Sequence, residues 1–233
     1  MDNKGFENMG FDFLIYDLDG TLVDSLGDIA SSVNSIRENN GLEHLSLKQI
    51  RSYLGSGINA LISQAISDKR EKFKQNVDDF KSYYKRRILD TTVMFSGVKE
   101  MLESLKDKKK AILTNKNEVY AREIVERLEI ANYFIEVWGG DTLTVRKPDP
   151  KTILELVKTT KSKLSKTVMI GDSANDFLAA KAANVRIIAV AYGYCDLDQI
   201  EAYRPDYIVK TPQEIASIVL QDVIKTKDGK NYV

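Results

Sequence analysis

Short apolar runs recur along the chain, at residues 11–16, 110–114, 168–171, 187–191 and 207–209. Each is bounded by Gly, Asp, Asn or Lys, and each reads as a buried strand. Stretches of helical periodicity lie between most of them. Val98, Met101, Leu102 and Leu105 fall on one face, with Ser96 as the expected N-cap. Val119, Ile124, Val125 and Leu128 form a second such face. Thr211 is placed to cap a third helix, with Pro212 in its first position and Glu214 closing a capping box. Strand and helix in alternation predict an α/β fold, a Rossmann-like parallel sheet core flanked by helices.

One region interrupts the alternation. Residues 25–91 contain no convincing strand. Residues 29–38 read as helix, and Ser46 caps another that carries Leu47, Ile50 and Leu54. Phe73, Val77, Phe80, Tyr84 and Ile88 then recur at helical steps, so an amphipathic helix of several turns is expected. The chain therefore divides into an α/β core of residues 1–24 and 92–233 and an inserted all-helical cap of residues 25–91. The insert leaves the core just after the first strand. Open α/β sheets bind their ligands at that end of the strands, so the insert is placed to act as a lid.

Composition narrows the chemistry. Apolar residues make up 43% of the 233, ample for a packed core. Lysine plus arginine and aspartate plus glutamate both number 34. Such a balance disfavours a general binder of nucleic acid or of membrane surfaces. No run resembles a signal peptide or a membrane span, and a cytoplasmic chain is expected. Cys195 is the only cysteine, so no internal disulfide can form. Six positions beyond it stands Glu201, which breaks the Cys-x5-Arg pattern of cysteine phosphatases. His44 is the only histidine, which rules out histidine clusters for zinc, and no Walker-type glycine loop occurs. His44 reads as a structural or surface residue, Trp138 as a core residue and Cys195 as an incidental loop or packing residue. The run Lys108–Lys110 reads as a solvated helix end.

Hydrolytic chemistry must then rest on Asp, Glu, Ser, Thr and Lys. Four polar clusters follow predicted strands: Asp17-Leu18-Asp19-Gly20-Thr21, Thr114-Asn115, Lys147 in "RKPDP", and Asp172 with Asp176 in "GDSAND". In a parallel sheet these ends share one edge. Asp17 and Asp19, one residue apart, lie on the same side of an extended chain.

In order and spacing, these motifs resemble those of the haloacid dehalogenase superfamily of aspartate-nucleophile phosphatases. "DLDGTLVDS", "IRSYLGSGINALI", "GGDTLTVRKPDP" and "GDSANDFLAAKAANV" with the later "YGY" are similar to segments of its phosphoglycolate phosphatase group. The resemblance implies a Mg²⁺-dependent phosphatase acting on a small phosphorylated metabolite, with 2-phosphoglycolate the first choice; the charge balance leaves no nucleic-acid or membrane partner expected, and no protein partner is inferred. The resemblance makes Asp17 the nucleophile and a metal ligand, and Asp19 the general acid and base, with its backbone carbonyl on the metal. Gly20 allows a sharp turn beside the phosphate, Thr114 and Asn115 bind phosphate oxygens, and Lys147 neutralises the phosphoryl group. Asp172 ligates Mg²⁺ directly. Asp176 reaches the metal through water or orients Lys147. The helix that begins near Asn117 offers its N-terminus to the anion. The "LGSG" loop lies near the substrate, and Arg51 is a candidate partner for a substrate carboxylate. Other readings remain at this point: a nucleotidase, pyrophosphatase or sugar phosphatase, β-phosphoglucomutase, or a phosphate-binding module without catalysis.

Overall fold

All residues of β1, Phe13–Tyr16, are buried. A strand buried on both faces needs helices over each face and a neighbour on each edge, and β1 has both. The computed structural model describes residues 10–220. After β1 the chain forms β2 (Val23–Asp24), α1 (Leu26–Asn39), α2 (Leu47–Arg51), α3 (Ile58–Ala65), α4 (Phe73–Arg87) and β3 (Val93–Met94). Next come α5 (Val98–Ser104), β4 (Lys109–Leu113), α6 (Glu118–Arg127), β5 (Glu136–Trp138), α7 (Lys151–Thr159) and β6 (Thr167–Gly171). The described chain closes with α8 (Ala174–Ala182), β7 (Arg186–Val190), α9 (Leu197–Ala202), β8 (Tyr207–Val209) and α10 (Pro212–Leu220).

The main sheet has six strands in the order β5-β4-β1-β6-β7-β8. Every pairing in it is parallel. The expected α/β class is therefore what the structure has. Successive residues of a strand face opposite ways, and β1 follows that rule. Phe13 and Ile15 pack with Ile153 and Leu156 of α7, Phe177 of α8 and Ile200 of α9. Leu14 and Tyr16 join the opposite cluster, with Leu102 of α5, Ile124 of α6 and Ile215 of α10. Each fully buried aliphatic side chain of this kind contributes about 1.5–3 kcal/mol. The second cluster continues into the helical segment through Val33, Ile36, Ile62, Phe80 and Tyr84. Val77, Phe80 and Tyr84 are the buried apolar positions of α4, as their spacing predicts.

Several local expectations change. Ser96 does not cap α5; that position belongs to Gly97, in the left-handed region at φ 88°. Val119 is exposed, and Tyr120 and Ala121 turn inward instead. Thr211 Oγ1 accepts from the Glu214 N–H at 3.4 Å, but the Glu214 carboxylate reaches the Lys210 N–H rather than that of Thr211. Lys110 is buried, not solvated. Its ammonium donates to the carbonyls of Leu105 and Lys108 where α5 ends, so the dipole argument holds but the exposure does not. The antiparallel β2–β3 pair was not expected; two residues per strand leave no readable period. It joins the two chain passages that flank α1–α4. The expected core also takes in residues 1–9 and 221–233, which lie outside the described residues.

A buried carboxylate fastens the second passage. Asp28 Oδ1 accepts from the Thr91 N–H (2.8 Å) and hydroxyl (2.6 Å). Oδ2 accepts from the N–H groups of Leu89 (3.0 Å) and Thr92 (3.1 Å) and from the Thr92 hydroxyl (2.6 Å). Burial alone would raise the Asp28 pKa, but the Thr91 and Thr92 donors outweigh it and hold it below the ordinary value. The folded chain thus binds this proton less tightly than the unfolded chain. The resulting stability is complete above the unfolded pKa of about 3.9 and is lost as pH falls through the lower folded value. Asp28→Asn should cost about 2–3 kcal/mol at neutral pH, since an amide turns one acceptor into a donor facing other donors. Urea unfolding checks this, with the gap from wild type narrowing below about pH 4.

Candidate active site

The strand order reverses around β1. From β1 the sheet grows through β4 to β5 on one side and through β6 to β7 and β8 on the other. Such a switch leaves a crevice at the carboxyl ends of the strands. Asp17 follows β1 directly, and its N–H still donates to Ile170 O of β6 at 2.9 Å. The chain then turns tightly, with Leu18 O accepting from the N–H groups of Thr21, Leu22 and Val23. Gly20 sits in this turn at φ +82°, and a Cβ there would lie 2.3 Å from Asp172 Oδ2. Both the backbone conformation and the space require glycine.

Lys147 comes from the loop between β5 and α7, and its side chain is 1% exposed. Its ammonium donates to Leu113 O at the end of β4 (2.6 Å) and to Asp176 Oδ1 (2.6 Å), and lies 3.0 Å from Asp17 Oδ1. Asp176 is the third residue of α8; its Oδ2 accepts from the N–H and hydroxyl of Ser173, the N-cap. Asp172 Oδ1 accepts from the Thr21 hydroxyl at 3.0 Å and Oδ2 from the Tyr194 N–H at 2.8 Å. Asp17 Oδ1 also accepts from the Leu18 N–H at 2.8 Å.

Carboxylate oxygens of Asp17, Asp172 and Asp176 lie within 4.8 Å of one another, and all three residues are buried. Burial raises the Asp17 pKa to about 6, with the Asp176 charge adding to it and Lys147 opposing. Burial and the charges of Asp17 and Asp176 raise Asp172 well above the usual range. Burial would lower the Lys147 pKa, but Asp17 and Asp176 override it and raise it. One ammonium thus serves three carboxylates. The excess negative charge and the all-oxygen donor set suit a hard divalent cation.

Asp19 points elsewhere. Its carboxylate is absent from that cluster and accepts from the Ser25 hydroxyl (2.5 Å) and the Lys116 ammonium, 3.0 Å from both oxygens. Thr114 and Asn115 are buried and line the same cavity as Asp17 and Asp19. The Thr114 N–H is committed to Trp138 O at 3.0 Å; its hydroxyl accepts from the Lys116 N–H at 3.3 Å and keeps its own proton to donate. The Asn115 amide donates to Gly55 O (2.8 Å) and Lys147 O (2.9 Å), tying the loop between α2 and α3 to the Lys147 loop. Asn175 donates to the same Gly55 carbonyl at 2.9 Å.

Arg51 lines the cavity, but its guanidinium binds the Tyr194 and Gly193 carbonyls and lies 3.6 Å from Asp196. It joins the helical segment to the loop after β7. The α6 N-terminus is also occupied: Asp141 accepts from the Glu118 N–H and the Asn117 amide, both at 2.8 Å. Its anion is a side chain, not the expected phosphate. Trp138 is a core residue, as expected. Cys195 stands at the cavity wall and donates to Gln199. Lys116 and Tyr194 were not singled out from the sequence. For Lys116 a signal existed, since it directly follows Thr114-Asn115. For Tyr194 the signal is the "YGY" segment, residues 192–194, which belongs to the resemblance.

A parallel sheet with a switch-point crevice and a buried lysine among aspartates defines a hydrolase-type α/β site with carboxylate chemistry. Residues 14–190 match the family model of the haloacid dehalogenase-like hydrolases, and the chain belongs to that family. A phosphoglycolate phosphatase of Neisseria meningitidis is 34% identical over 211 residues, which cover 86% of this chain and 90% of that one. A phosphoglycolate phosphatase of Vibrio parahaemolyticus is 34% identical over 219 residues, covering 88% and 95%. A crystal structure described as a predicted phosphoglycolate phosphatase from Haemophilus somnus superposes with a TM-score of 0.85 at 30% identity, covering 89% of this chain and 97% of that one. Among the described residues, no helix is long and apolar enough to cross a membrane.

Lys147→Met should destabilise the fold by about 3–5 kcal/mol at neutral pH, because buried carboxylates lose their counter-charge. The raised Asp17 pKa means that the folded chain holds this proton more tightly than the unfolded chain, so ionising Asp17 costs stability as pH rises through about 6. The deficit of the variant should therefore shrink as pH falls toward 5. Urea unfolding across that range measures it.

Proposed function

We propose that the chain is a Mg²⁺-dependent phosphatase that hydrolyses a small phosphomonoester, 2-phosphoglycolate, through an aspartyl-phosphate. The observation that carries this reading is the buried Lys147 Nζ held 3.0 Å from Asp17, which lines the crevice cavity. An ammonium there neutralises phosphoryl charge where a carboxylate must attack an anion. No hydrogen bond among the described residues reaches Asp17 Oδ2, which leaves that oxygen for the attack. The phosphoglycolate phosphatase relatives supply the substrate, and the cavity supports it. At about 260 Å³ it falls below the roughly 300–1,000 Å³ common for drug-sized ligands.

In this reading Asp17 attacks phosphorus and the ester P–O bond breaks. Asp19 gives its proton to the departing oxygen. It then takes one from water, which attacks the phosphorus of the aspartyl-phosphate, releasing phosphate and restoring Asp17. The Thr114 hydroxyl and the Asn115 N–H orient the phosphoryl oxygens. Asp17 and Asp172, with the Asp19 backbone carbonyl, would hold Mg²⁺, which supplies charge neutralisation at the phosphoryl group. Asp176 serves chiefly to orient Lys147, since its oxygens are engaged by Lys147 and Ser173. Residues 25–91 act as the cap over this pocket, and residues 1–24 and 92–233 as the core. We also place the chain in the cytoplasm, on its cysteine usage.

Phosphate release from 2-phosphoglycolate should require added Mg²⁺, vanish on chelation and return on readdition. Asp17→Asn should lower kcat by about 10⁴-fold or more, as loss of a nucleophile does elsewhere. Retained Mg²⁺-dependent turnover in that variant would sink the assignment. Conversion of β-glucose 1-phosphate to the 6-phosphate without phosphate release would replace hydrolysis by a mutase.

A further inference from the structure

Lys116 is a second buried cation in the pocket, and the chemistry above does not use it. Its side chain is 6% exposed. Its Nζ lies 3.0 Å from each Asp19 oxygen and 4.6 Å from the ring centre of Tyr84, which α4 contributes. Lys116, Asp19 and Tyr84 all line the cavity.

We propose that Lys116 reads the acidic end of the substrate, so that the pocket selects phosphomonoesters whose leaving group carries a carboxylate close to the ester oxygen. The inference rests on the phosphatase reading above. Asp19 must reach the ester oxygen to protonate it. In an O–CH₂–COO⁻ leaving group the carboxylate carbon is two bonds from that oxygen. A cation that binds this carboxylate therefore has to stand beside Asp19. Lys116 is the cation that forms an ion pair with Asp19 among the described residues.

The other cations of the site are committed elsewhere. Lys147 gives its donors to Leu113, Asp176 and Asp17 at the phosphoryl end. Arg51, the residue first expected in this role, is held by the Gly193 and Tyr194 carbonyls and by Asp196. The helical segment lines the same cavity with apolar side chains, Ile29, Leu54, Ile58, Leu61 and Phe80 among them. A carboxylate between such walls and a buried ammonium is poorly screened, so the pairing is strong. A neutral hydroxyl in the same position gains far less. An ammonium is also a compact point charge that can move between Asp19 and a second acceptor without a fixed fork geometry.

The test compares 2-phosphoglycolate with 2-hydroxyethyl phosphate, which replaces the carboxylate by a neutral hydroxymethyl group. Wild type should prefer the acid. Lys116→Met should lower kcat/KM for 2-phosphoglycolate about 10- to 100-fold more than for 2-hydroxyethyl phosphate, the worth of one charge-assisted hydrogen bond, with the difference carried by KM. Lys116→Arg should keep the preference. Lys116→Gln gives the same readout should the Met variant fail to fold, as judged by thermal melting. Glycolate should inhibit wild type more strongly than Lys116→Gln. An equal fall for both esters would reduce Lys116 to a support for Asp19 and overturn the proposal, as would a wild type that does not prefer the acid. No phosphate release from either ester by wild type would overturn the phosphatase reading, and this inference with it.

Discussion

An ammonium buried at a sheet edge has three protons and no water to take them. Lys147 places them on groups from three separate elements: Leu113 O at the end of β4, Asp17 after β1 and Asp176 in α8. Each pairing offsets a desolvation cost that would otherwise be severe. The requirement fixes how β1, β4 and α8 meet. It also fixes where the loop after β5 must run, because that loop delivers the lysine. Asp172 joins the group from the end of β6 and adds negative charge that Lys147 alone cannot balance. A site arranged around such an imbalance is suited to cations and to transferable anions, and poorly suited to stability for its own sake.

The helical segment meets this charged centre through two kinds of contact. Internally it packs as helices do, with α1 against α4 through apolar stripes that include Val33, Ile36 and Phe80. Polar contacts also tie it down: Gly55 O to Asn115 and Asn175, Arg51 to Gly193 and Tyr194, and Asp28 to the returning chain. The Tyr194 hydroxyl adds one more, bonded to Asp24 and to the Ser25 N–H. Asp19 stands where these two systems join. Its partners Ser25 and Lys116 come from the start of the helical segment and from the core.

Much of this is legible in the sequence. Alternation of short apolar runs with helical periods predicted the parallel sheet, because buried strands and amphipathic helices leave distinct periods. Asp17, Asp19, Thr114 and Asp172 stand out because polar residues gather just past the apolar runs, where a parallel sheet opens to its ligand; Lys147, in a loop away from those runs, stands out through the resemblance of "RKPDP". Local details were less legible. Ser96 looked like a cap, yet Gly97 took the position because the chain enters α5 through a left-handed turn. Lys110 looked solvated, yet its stem is buried and its head reaches carbonyls, as long amphipathic side chains allow.

The alternation of strands and helices along the chain and the positions of the polar clusters follow from periodicity and residue type, both of which are local properties. The partner of each charge does not. Lys116 and Asp19 are 97 positions apart, and Arg51 is 142 from the Gly193 carbonyl that engages it. No local pattern says that an arginine in the helical segment will bind backbone, or that a lysine beside the Thr114-Asn115 pair will meet Asp19. Those pairings are settled by packing. Once burial removes water, each charge takes the nearest group that can replace it, and only the folded chain determines which group that is.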